Sequence, residues 1–285
     1  MKRLVNRLLR GALRCGASRL LPVGVRDALR VQQALVRREQ QAATIEPPTN
    51  RVVVLAPHPD DESFGCGGTL ARASAHGAQV HVVFMTDGAK GYDPARLDGA
   101  DAEAVAAFQA TLRATRKAEA AAAGRALGLA EPVFLDLPDG RLRGHPDAVP
   151  HLADTLSRLQ PDVVMLPWFA DPHPDHWATV AAFHRAARQA GLPASTLCWG
   201  YEVWSPMVAN AFVDIGASFD AKQAAMAEHR SQLVDVDYVR VINGLSAYRS
   251  LAAGFSTGHA EAFFVETLDV QARLFAQFWP NEGVQ

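Results

Sequence analysis

Short apolar runs rich in β-branched residues alternate with longer helix-periodic stretches along most of this chain. The apolar runs have the length and composition of buried parallel strands, and they lie at Val52–Leu55, Val80–Met85, Val133–Leu137, Val163–Leu166, Leu197–Val203 and Ala211–Ile215. Helical stretches lie between or after them, at Gly68–Ala75, Ala102–Leu127, Asp147–Leu159, His176–Ala190 and Phe219–Arg230. This alternation predicts an α/β fold, a Rossmann-like and mostly parallel sheet with helices on both faces. The pattern beyond Asn243 does not predict an order of elements.

The first 48 residues follow a different pattern. Apolar residues recur there at helical spacing with basic residues between them, and residues 1–45 carry ten Lys or Arg against Asp27 and Glu39. The whole chain has a formal net charge of −2, so the remaining residues are clearly acidic. We therefore predict a basic amphipathic helical extension at residues 1–48, followed by a single α/β domain at residues 51–285.

The basic extension suggests partners that the rest of the chain does not. A helix of this kind can lie on an anionic membrane surface; packing on the domain or on a second subunit is the alternative. Nucleic acid is not expected as a partner, because the remaining chain is net negative and has no recognised binding motif. The oligomeric state is not predicted.

The location that the sequence favours is the cytoplasm, with peripheral contact at the inner membrane face as the alternative. Three scattered cysteines, Cys15, Cys66 and Cys198, form no CxxC pair and suggest a reducing compartment. No apolar run approaches the roughly 18 residues of a membrane span. A secretory signal is not predicted either, because the apolar stretch Leu20–Val25 is short and contains Pro22.

The first candidate for chemistry is Ala56–Glu62, which follows the strand Val52–Leu55 directly. In open α/β sheets, ligands bind at the carboxyl ends of the strands. His58 and Asp61 are three residues apart, so a turn can aim both at one metal ion, and Asp60 is left beside them to take a proton from water. The alternative is a polar turn with a helix cap, which explains neither the histidine nor the adjacent acids.

A second motif, Asp171–His176, follows another buried-strand pattern, Val163–Leu166. His173 and His176 repeat the three-residue spacing. A histidine-rich turn taken alone is more often a solvated loop, but two such motifs after buried strands can meet in one crevice. The pair therefore predicts one shared metal site.

No competing motif is present in the sequence. HExxH, P-loop and GxSxG patterns are all absent. The glycines around Cys66, at Gly65–Gly68, lack phosphate-binding spacing and predict close backbone packing instead. Cys66 has no dedicated base and is read as a small core residue.

These motifs resemble those of the PIG-L/LmbE family of zinc-dependent de-N-acetylases. Ala56–Glu62 is similar to the family's (A/P)HPDDE, and His173–His176 to its HPDH. Weaker similarities follow in order, at Thr86–Gly88, Arg116 with Glu119, Leu127–Gly128, Asp139–Gly140, Lys222 and His229–Gln232. The resemblance covers about residues 51–235 and does not include the basic extension.

The resemblance implies a metal site. His58, Asp61 and His176 would hold Zn²⁺, with Fe²⁺ as the alternative, because two histidines and one carboxylate also serve ferrous iron. Such a site leaves positions open for water and substrate, and a metal there lowers the pKa of water and polarises an amide oxygen.

The resemblance also implies roles for the residues around the metal. Asp60 would be the general base. His173 would stabilise charge on the tetrahedral intermediate or protonate the leaving amine, and Asp175 would orient His173. Arg116 would face the substrate. From its place after a strand, we further predict that Tyr201–Trp204 lines the pocket, with a plain structural role as the alternative.

The activity implied is removal of an acetyl group from an N-acetylated amino sugar or sugar conjugate. Two alternatives stay open. One is an amidase that cleaves another acyl group from a sugar-linked or natural-product amine. The other is a non-catalytic protein that binds metal. The specificity loops expected from the sequence are Lys90–Ala102, Leu137–His145 and Trp199–Asn210.

Overall fold

One mixed sheet organises the part of the chain that the computed structural model describes, namely residues 29, 32–33, 35–40 and 42–279. Its strands are β1 (Ala43–Thr44), β2 (Arg51–Ala56), β3 (Gln79–Thr86), β4 (Val133–Leu137), β5 (Val163–Pro167), β6 (Leu197–Tyr201), β7 (Ala211–Asp214) and β8 (Ala260–Thr267). Their spatial order is β1-β7-β8-β6-β5-β2-β3-β4. Each predicted strand is present, with ends that differ by no more than two residues.

Strand β8 is the one strand of the described sheet that runs against its neighbours. It pairs antiparallel with both β6 and β7, whereas the other pairs are parallel. The prediction of a mostly parallel sheet is therefore confirmed. The β8 strand lies in the segment whose order the pattern did not predict, because a strand that inserts between two earlier ones is specified by tertiary contacts.

Helices cover both faces of the sheet. They are α1 (Asp61–Ala75), α2 (Ala102–Ala126), α3 (Ala148–Leu159), α4 (Pro174–Gln189), α5 (Phe219–Glu228), α6 (Tyr238–Ala252) and α7 (Leu268–Phe278). Helix α5 packs on both α1 and α2, and α4 packs on α3 and α7. These two groups enclose the apolar strands between them.

Helix α1 begins at Asp61, seven residues earlier than the pattern predicts, and is interrupted at Cys66, whose φ of −143° is not helical. Just after the interruption, the backbone N–H groups of Gly68 and Thr69 donate to the buried carboxylate of Glu261, at 3.0 and 2.7 Å. Glu261 thus caps the second part of α1 in the way that a carboxylate caps a helix start.

The glycines of α1 allow close packing, as predicted. A Cβ atom on Gly65 would lie 2.5 Å from the ring of Tyr201, and one on Gly68 would lie 2.8 Å from Ile215. Any side chain at either position would push α1 away from its neighbours. Cys66 is buried in the core, also as predicted.

The predicted extension lies mostly outside the described residues, and so does the membrane contact proposed for its first helix. Its described part is helical at residues 29, 32–33 and 35–39 and then forms strand β1, which pairs with β7 at the sheet edge. Arg38 binds Glu266 of β8. Within the described residues, no helix is both long and apolar enough to cross a bilayer.

The topology brings the two predicted motifs together. From β2 the chain passes to β3 and β4 on one side, and then returns to β5 on the other side of β2. Strands β2 and β5 are parallel neighbours, so their carboxyl ends meet where the strand order reverses. A crevice forms at such a switch point, and both motifs begin there.

Candidate active site

Three side chains from the two motifs converge at the switch point. Asp61 at the start of α1 places its Oδ2 3.2 Å from Nδ1 of His58 and 3.4 Å from Nε2 of His176, in the first turn of α4. All three residues are buried. Two donors of a tetrahedral zinc ion with bonds of 2.0–2.2 Å are separated by about 3.3–3.6 Å. The spacing around Asp61 therefore suits a metal ion.

Carboxylates face the far nitrogen of each histidine. Nε2 of His58 lies 3.3 Å from Asp175 and 3.5 Å from Asp139, and Nδ1 of His176 lies 3.3 Å from Asp171. Metal-binding histidines usually present their second nitrogen to a carboxylate in this way, which fixes the ring and its tautomer. The arrangement is thus that of a metal site with its supporting residues.

The electrostatics of the cluster also favour a cation. Burial by itself lowers the pKa of both histidines, but the carboxylates outweigh it: the pKa of His58 is well above its usual value and that of His176 is raised to about 9. Burial raises the pKa of Asp61 and Asp139, and the histidines outweigh this too; the pKa of Asp61 falls well below its usual value and that of Asp139 falls to about 2. A divalent cation would satisfy the same excess of negative charge.

The donor set of the metal has two readings in the structure. Ligand atoms of His58, His173 and His176 all lie within 4.8 Å of one another, and so do those of His58, Asp139 and Asp175. Asp61 belongs to neither group, yet its Oδ2 is close to both predicted histidines. Neither nitrogen of His176 forms a hydrogen bond within the described residues, although both are buried. Nε2, on the side of Asp61, is therefore suited to metal ligation, whereas Nδ1 faces Asp171.

Asp60 is placed beside this cluster by the turn that begins α1. Its Oδ2 forms an ion pair with the guanidinium of Arg116 at 2.9 Å. Burial raises the pKa of Asp60, Arg116 lowers it and Asp61 raises it, with a net upward shift. A carboxylate with a raised pKa binds a proton more tightly. This suits a general base, which must hold the proton that it takes from water.

Arg116, which was predicted to face the substrate, is only 2% exposed. Its guanidinium donates to the carbonyl oxygen of Gly88 at 2.9 Å as well as pairing with Asp60. A Cβ on Gly91 would lie 2.3 Å from the same guanidinium, so a glycine is needed where this loop passes. The structure therefore places Arg116 behind Asp60.

His173 lies at the N-cap of α4, partly exposed, with its ring 4.8 Å from that of His58. Its Nδ1 accepts the backbone N–H of Asp175 at 3.2 Å, which leaves the proton of the neutral ring on Nε2. Burial lowers the pKa of His173, and the neighbouring histidines lower it further. His173 is thus a neutral hydrogen-bond donor.

Asp175 touches different groups from those predicted. Its carboxylate accepts the backbone N–H of Gly140 at 2.7 Å and faces His58, whereas it meets His173 only through the main chain. The reason is the helix geometry: Asp175 is in the first turn of α4, so its side chain points to the β4 loop and its N–H points to the cap.

Residues of the weaker sequence similarities hold the surrounding loops in place through hydrogen bonds. Glu119, one turn from Arg116 on α2, accepts the backbone N–H and hydroxyl of Ser231 at 2.8 and 2.6 Å. His229 lies 3.0 Å from the hydroxyl of Ser63, which donates to Glu62 at 2.6 Å. Glu62, to which the sequence assigned no role, is therefore a buried support for the turn that carries Asp60 and Asp61.

The role of Asp171 was missed at the sequence level. It is completely buried, faces His176, and accepts the backbone N–H of His173 at 2.9 Å and that of Trp204 at 3.0 Å. Asp139 was noted only as a family feature, yet it faces His58. Each aspartate follows the end of a strand, β5 or β4, and that position is the signal that could have identified both.

The predicted pocket segment Tyr201–Trp204 divides in the structure. Tyr201 is buried and donates from its hydroxyl to the carbonyl of Leu55 at 2.8 Å, and Glu202 is buried in a pair with Arg249. Both have the structural role named as the alternative. Trp204 alone reaches the crevice, where its ring lies beside that of His173.

Residues 53–187 match the family described as "PIG-L: GlcNAc-PI de-N-acetylase". This range includes both His-Pro-Asp motifs and ends just before the last residues of α4. The features that lie after it, including Lys222 and His229, are outside the matched range.

Curated relatives carry deacetylase names. The diacetylchitobiose deacetylase of Thermococcus kodakarensis is 28% identical over 199 residues, which are 64% of this chain and 70% of the relative. The 1D-myo-inositol 2-acetamido-2-deoxy-alpha-D-glucopyranoside deacetylase of Streptomyces griseus is 33% identical over 171 residues, which are 52% of this chain and 51% of the relative. The chain therefore spans about half the length of the second relative.

Solved structures share the fold. The conserved protein TT1542 from Thermus thermophilus superposes with a TM-score of 0.60 and 32% identity, covering 75% of this chain and 93% of that one. The name of that protein states no activity, so this similarity concerns the architecture.

Proposed function

We propose that this chain, which belongs to the PIG-L family of de-N-acetylases, is a metal-dependent hydrolase that removes the acetyl group from an N-acetylated amino sugar or sugar conjugate. The observation that carries the proposal is the position of Asp61 between His58 and His176, with Asp60 held beside them by Arg116. The named relatives act on acetylated sugars or sugar conjugates, which supports the same class of substrate here.

In this proposal, His58, Asp61 and His176 hold the metal. Two nitrogens and one carboxylate oxygen are a donor set that suits Zn²⁺, and Fe²⁺ is the alternative. Zn²⁺ bound there would polarise the amide carbonyl and lower the pKa of a water molecule. Asp139, Asp171 and Asp175 keep the two imidazole rings in orientation.

Asp60 accepts the proton from the attacking water and returns it to the amide nitrogen, because without that proton the nitrogen would have to leave as an anion. Arg116 acts on the substrate through Asp60, which it holds in position. His173 donates a hydrogen bond from Nε2 to the carbonyl oxygen as negative charge develops there. The C–N bond breaks, and acetate and a free amine are the products.

The test is acetate release from N,N′-diacetylchitobiose and from N-acetylglucosaminyl-inositol by the zinc-loaded protein. We expect Asp60→Asn to lower kcat by about 10²–10⁴-fold with its zinc content unchanged by mass spectrometry. Asp154→Asn, at an exposed helix position, is the matched control. Full activity of Asp60→Asn would remove Asp60 as the base.

The same assay separates the alternatives. A panel of N-acyl glucosamines of increasing acyl length distinguishes a deacetylase from an amidase for longer acyl groups. Stoichiometric zinc without turnover of any N-acyl sugar would contradict the proposal and identify a metal-binding protein that is not an enzyme.

A further inference from the structure

Trp204 is a large apolar side chain that stays 51% exposed beside the proposed catalytic residues. Its ring is nearly parallel to that of His173, with an interplanar angle of 18° and centroids 6.4 Å apart. Tyr238, at the start of α6, meets the indole edge-on at 5.7 Å. The indole thus contacts His173 and Tyr238, and about half of its surface remains exposed beside the proposed catalytic residues.

The main chain of Trp204 is held by the same carboxylate that supports the histidines. Asp171 accepts the Trp204 N–H through Oδ2, while its Oδ1 accepts the N–H of His173 and faces His176. Trp204 is therefore positioned relative to the site by a completely buried group. Any shift of the metal-binding loop would shift the indole with it.

A second anchor fixes the loop that follows β6. Glu202 accepts Nε of Arg249 at 3.0 Å and the backbone N–H of Met207 at 2.6 Å, and Arg249 also donates to the carbonyl of Met207 at 2.9 Å. These groups are buried. Trp204 lies between the two ends of this clamp, so its exposed ring is carried by a rigid segment.

Single exposed apolar side chains are common on protein surfaces and need no function. Tyr248, which is 61% exposed on α6, is such a residue: its ring contacts Arg249. Trp204 differs because its backbone N–H donates to the carboxylate of Asp171 and its ring lies beside that of His173. A flat aromatic surface of this kind binds apolar faces with little loss of side-chain entropy.

We infer that Trp204 is a specificity-determining residue, whose indole packs against the apolar C–H face of the sugar ring that carries the acetamido group. The inference rests on the proposed function, since it assigns the sugar-binding surface of that same site. A pyranose ring has polar groups around its edge and apolar C–H faces, and it fits a flat indole. A linear N-acetylated amine has no such face and would gain nothing from Trp204.

The test compares Trp204→Ala, Trp204→Phe and the control Tyr248→Ala. The alanine variant keeps the backbone N–H that Asp171 accepts. We expect Trp204→Ala to raise KM for N,N′-diacetylchitobiose about tenfold, with kcat within about twofold of wild type. Its kcat/KM for N-acetylethanolamine should equal that of wild type. Trp204→Phe should recover most of the loss, and Tyr248→Ala should behave as wild type.

Binding measured without turnover distinguishes this inference from the proposed function. Calorimetric titration of diacetylchitobiose into zinc-loaded Asp60→Asn should give an affinity that falls about tenfold when Trp204→Ala is added. An equal loss for sugar and linear substrates, or an unchanged affinity, would overturn the role of Trp204. No acetate release by wild type, together with sugar binding that depends on Trp204, would defeat the proposed function alone.

Discussion

Two buried charged clusters contact helix α1, one at its start and one further along it, and they use similar side chains differently. In the first cluster, Asp61 lies between His58 and His176 with further carboxylates around them. In the second cluster, Lys222 donates to Glu261 at 2.5 Å and to the carbonyl of Phe64 at 3.0 Å. Both sets are almost completely inaccessible to solvent.

The difference between the clusters is in how their polar atoms are satisfied. Glu261 accepts Lys222 and two backbone N–H groups of α1, so charge and hydrogen bonds balance inside the protein. In the other cluster carboxylates outnumber cations, and the nitrogens of His176 form no hydrogen bond with the described residues. A balanced buried pair maintains structure, whereas an unbalanced one at a crevice is suited to binding a ligand.

The largest effect on this difference between the clusters is expected from removing a proposed metal ligand. We expect His176→Ala to bind no zinc and to have an activity at least about 10³-fold below that of wild type. Zinc at a concentration a thousand times its Kd should stabilise the wild-type protein by about 4 kcal/mol and so raise its melting temperature. It should not raise the melting temperature of the variant. The exposed control His151→Ala should respond as wild type. A zinc-dependent rise retained by His176→Ala would contradict the contrast.

The predicted donor set, with Asp61, and the set in which His173 takes its place can be separated in the same assay. If Asp61 is the third donor, Asp61→Asn should lose zinc binding whereas His173→Ala should keep it. The reverse result would assign the third position to His173.

Breaking the balanced cluster should affect stability instead. Lys222→Met leaves the Glu261 carboxylate buried without its cation, and we expect the free energy of unfolding to fall by about 3–5 kcal/mol. The double variant Lys222→Met with Glu261→Gln keeps an acceptor for α1 but removes both charges, so it should recover much of the loss. Denaturant unfolding measures both. A larger loss in the double variant than in the single one would show that the pair is not balanced.

A milder change to the first cluster sharpens the role of its supporting carboxylates. Asp171→Asn removes the charge that faces His176, and we expect zinc affinity to fall about 10–100-fold. Competition with a chromophoric chelator gives the affinity, with Asp154→Asn as control. An unchanged affinity would limit Asp171 to holding the loop.

The smallest expected effect concerns a buried histidine that belongs to neither cluster. Burial, with a minor contribution from Arg188, lowers the pKa of His184 to about 3. Its ring contacts those of Phe183 and Phe275, which carry no charge. Because the unfolded chain takes up this proton near pH 6.5 and the folded one near pH 3, stability falls as pH decreases between these values.

His184→Leu should remove that part of the acid sensitivity. We expect the free energy of unfolding of the variant to fall less steeply than that of wild type between pH 6 and pH 4, by about 1.4 kcal/mol per pH unit at most. Denaturant unfolding at several pH values measures the slopes, and His151→Leu is the exposed control. Equal slopes of wild type and variant would show that folding does not lower the pKa of His184.

The alternation of apolar runs was sufficient to predict a mostly parallel sheet, and the two His-Pro-Asp motifs were sufficient to predict where its crevice lies. Strands β2 and β5 are buried on both faces and therefore read as continuous apolar runs. Polar residues directly after such strands have no role in packing, so they indicate a site. The separate positions of Asp60 and Asp61 follow from the turn that begins α1.

Other parts depended on contacts distant in sequence. Strand β8 inserts between β6 and β7, and its Glu261 caps α1 nearly two hundred residues earlier in the chain. The partner of Asp175 is His58 rather than His173, because the direction of a side chain depends on the helix turn that carries it.

The amino-acid sequence by itself therefore determined the apolar strands, the helices between them and the two His-Pro-Asp motifs that follow strands, since periodicity and residue type are local properties. The tertiary structure decided which nitrogen faces which carboxylate, that Arg116 lies behind Asp60, and that Trp204 stands at the mouth while Tyr201 is buried. These are distances between elements far apart in the chain, and only the packing of the sheet and its helices specifies them.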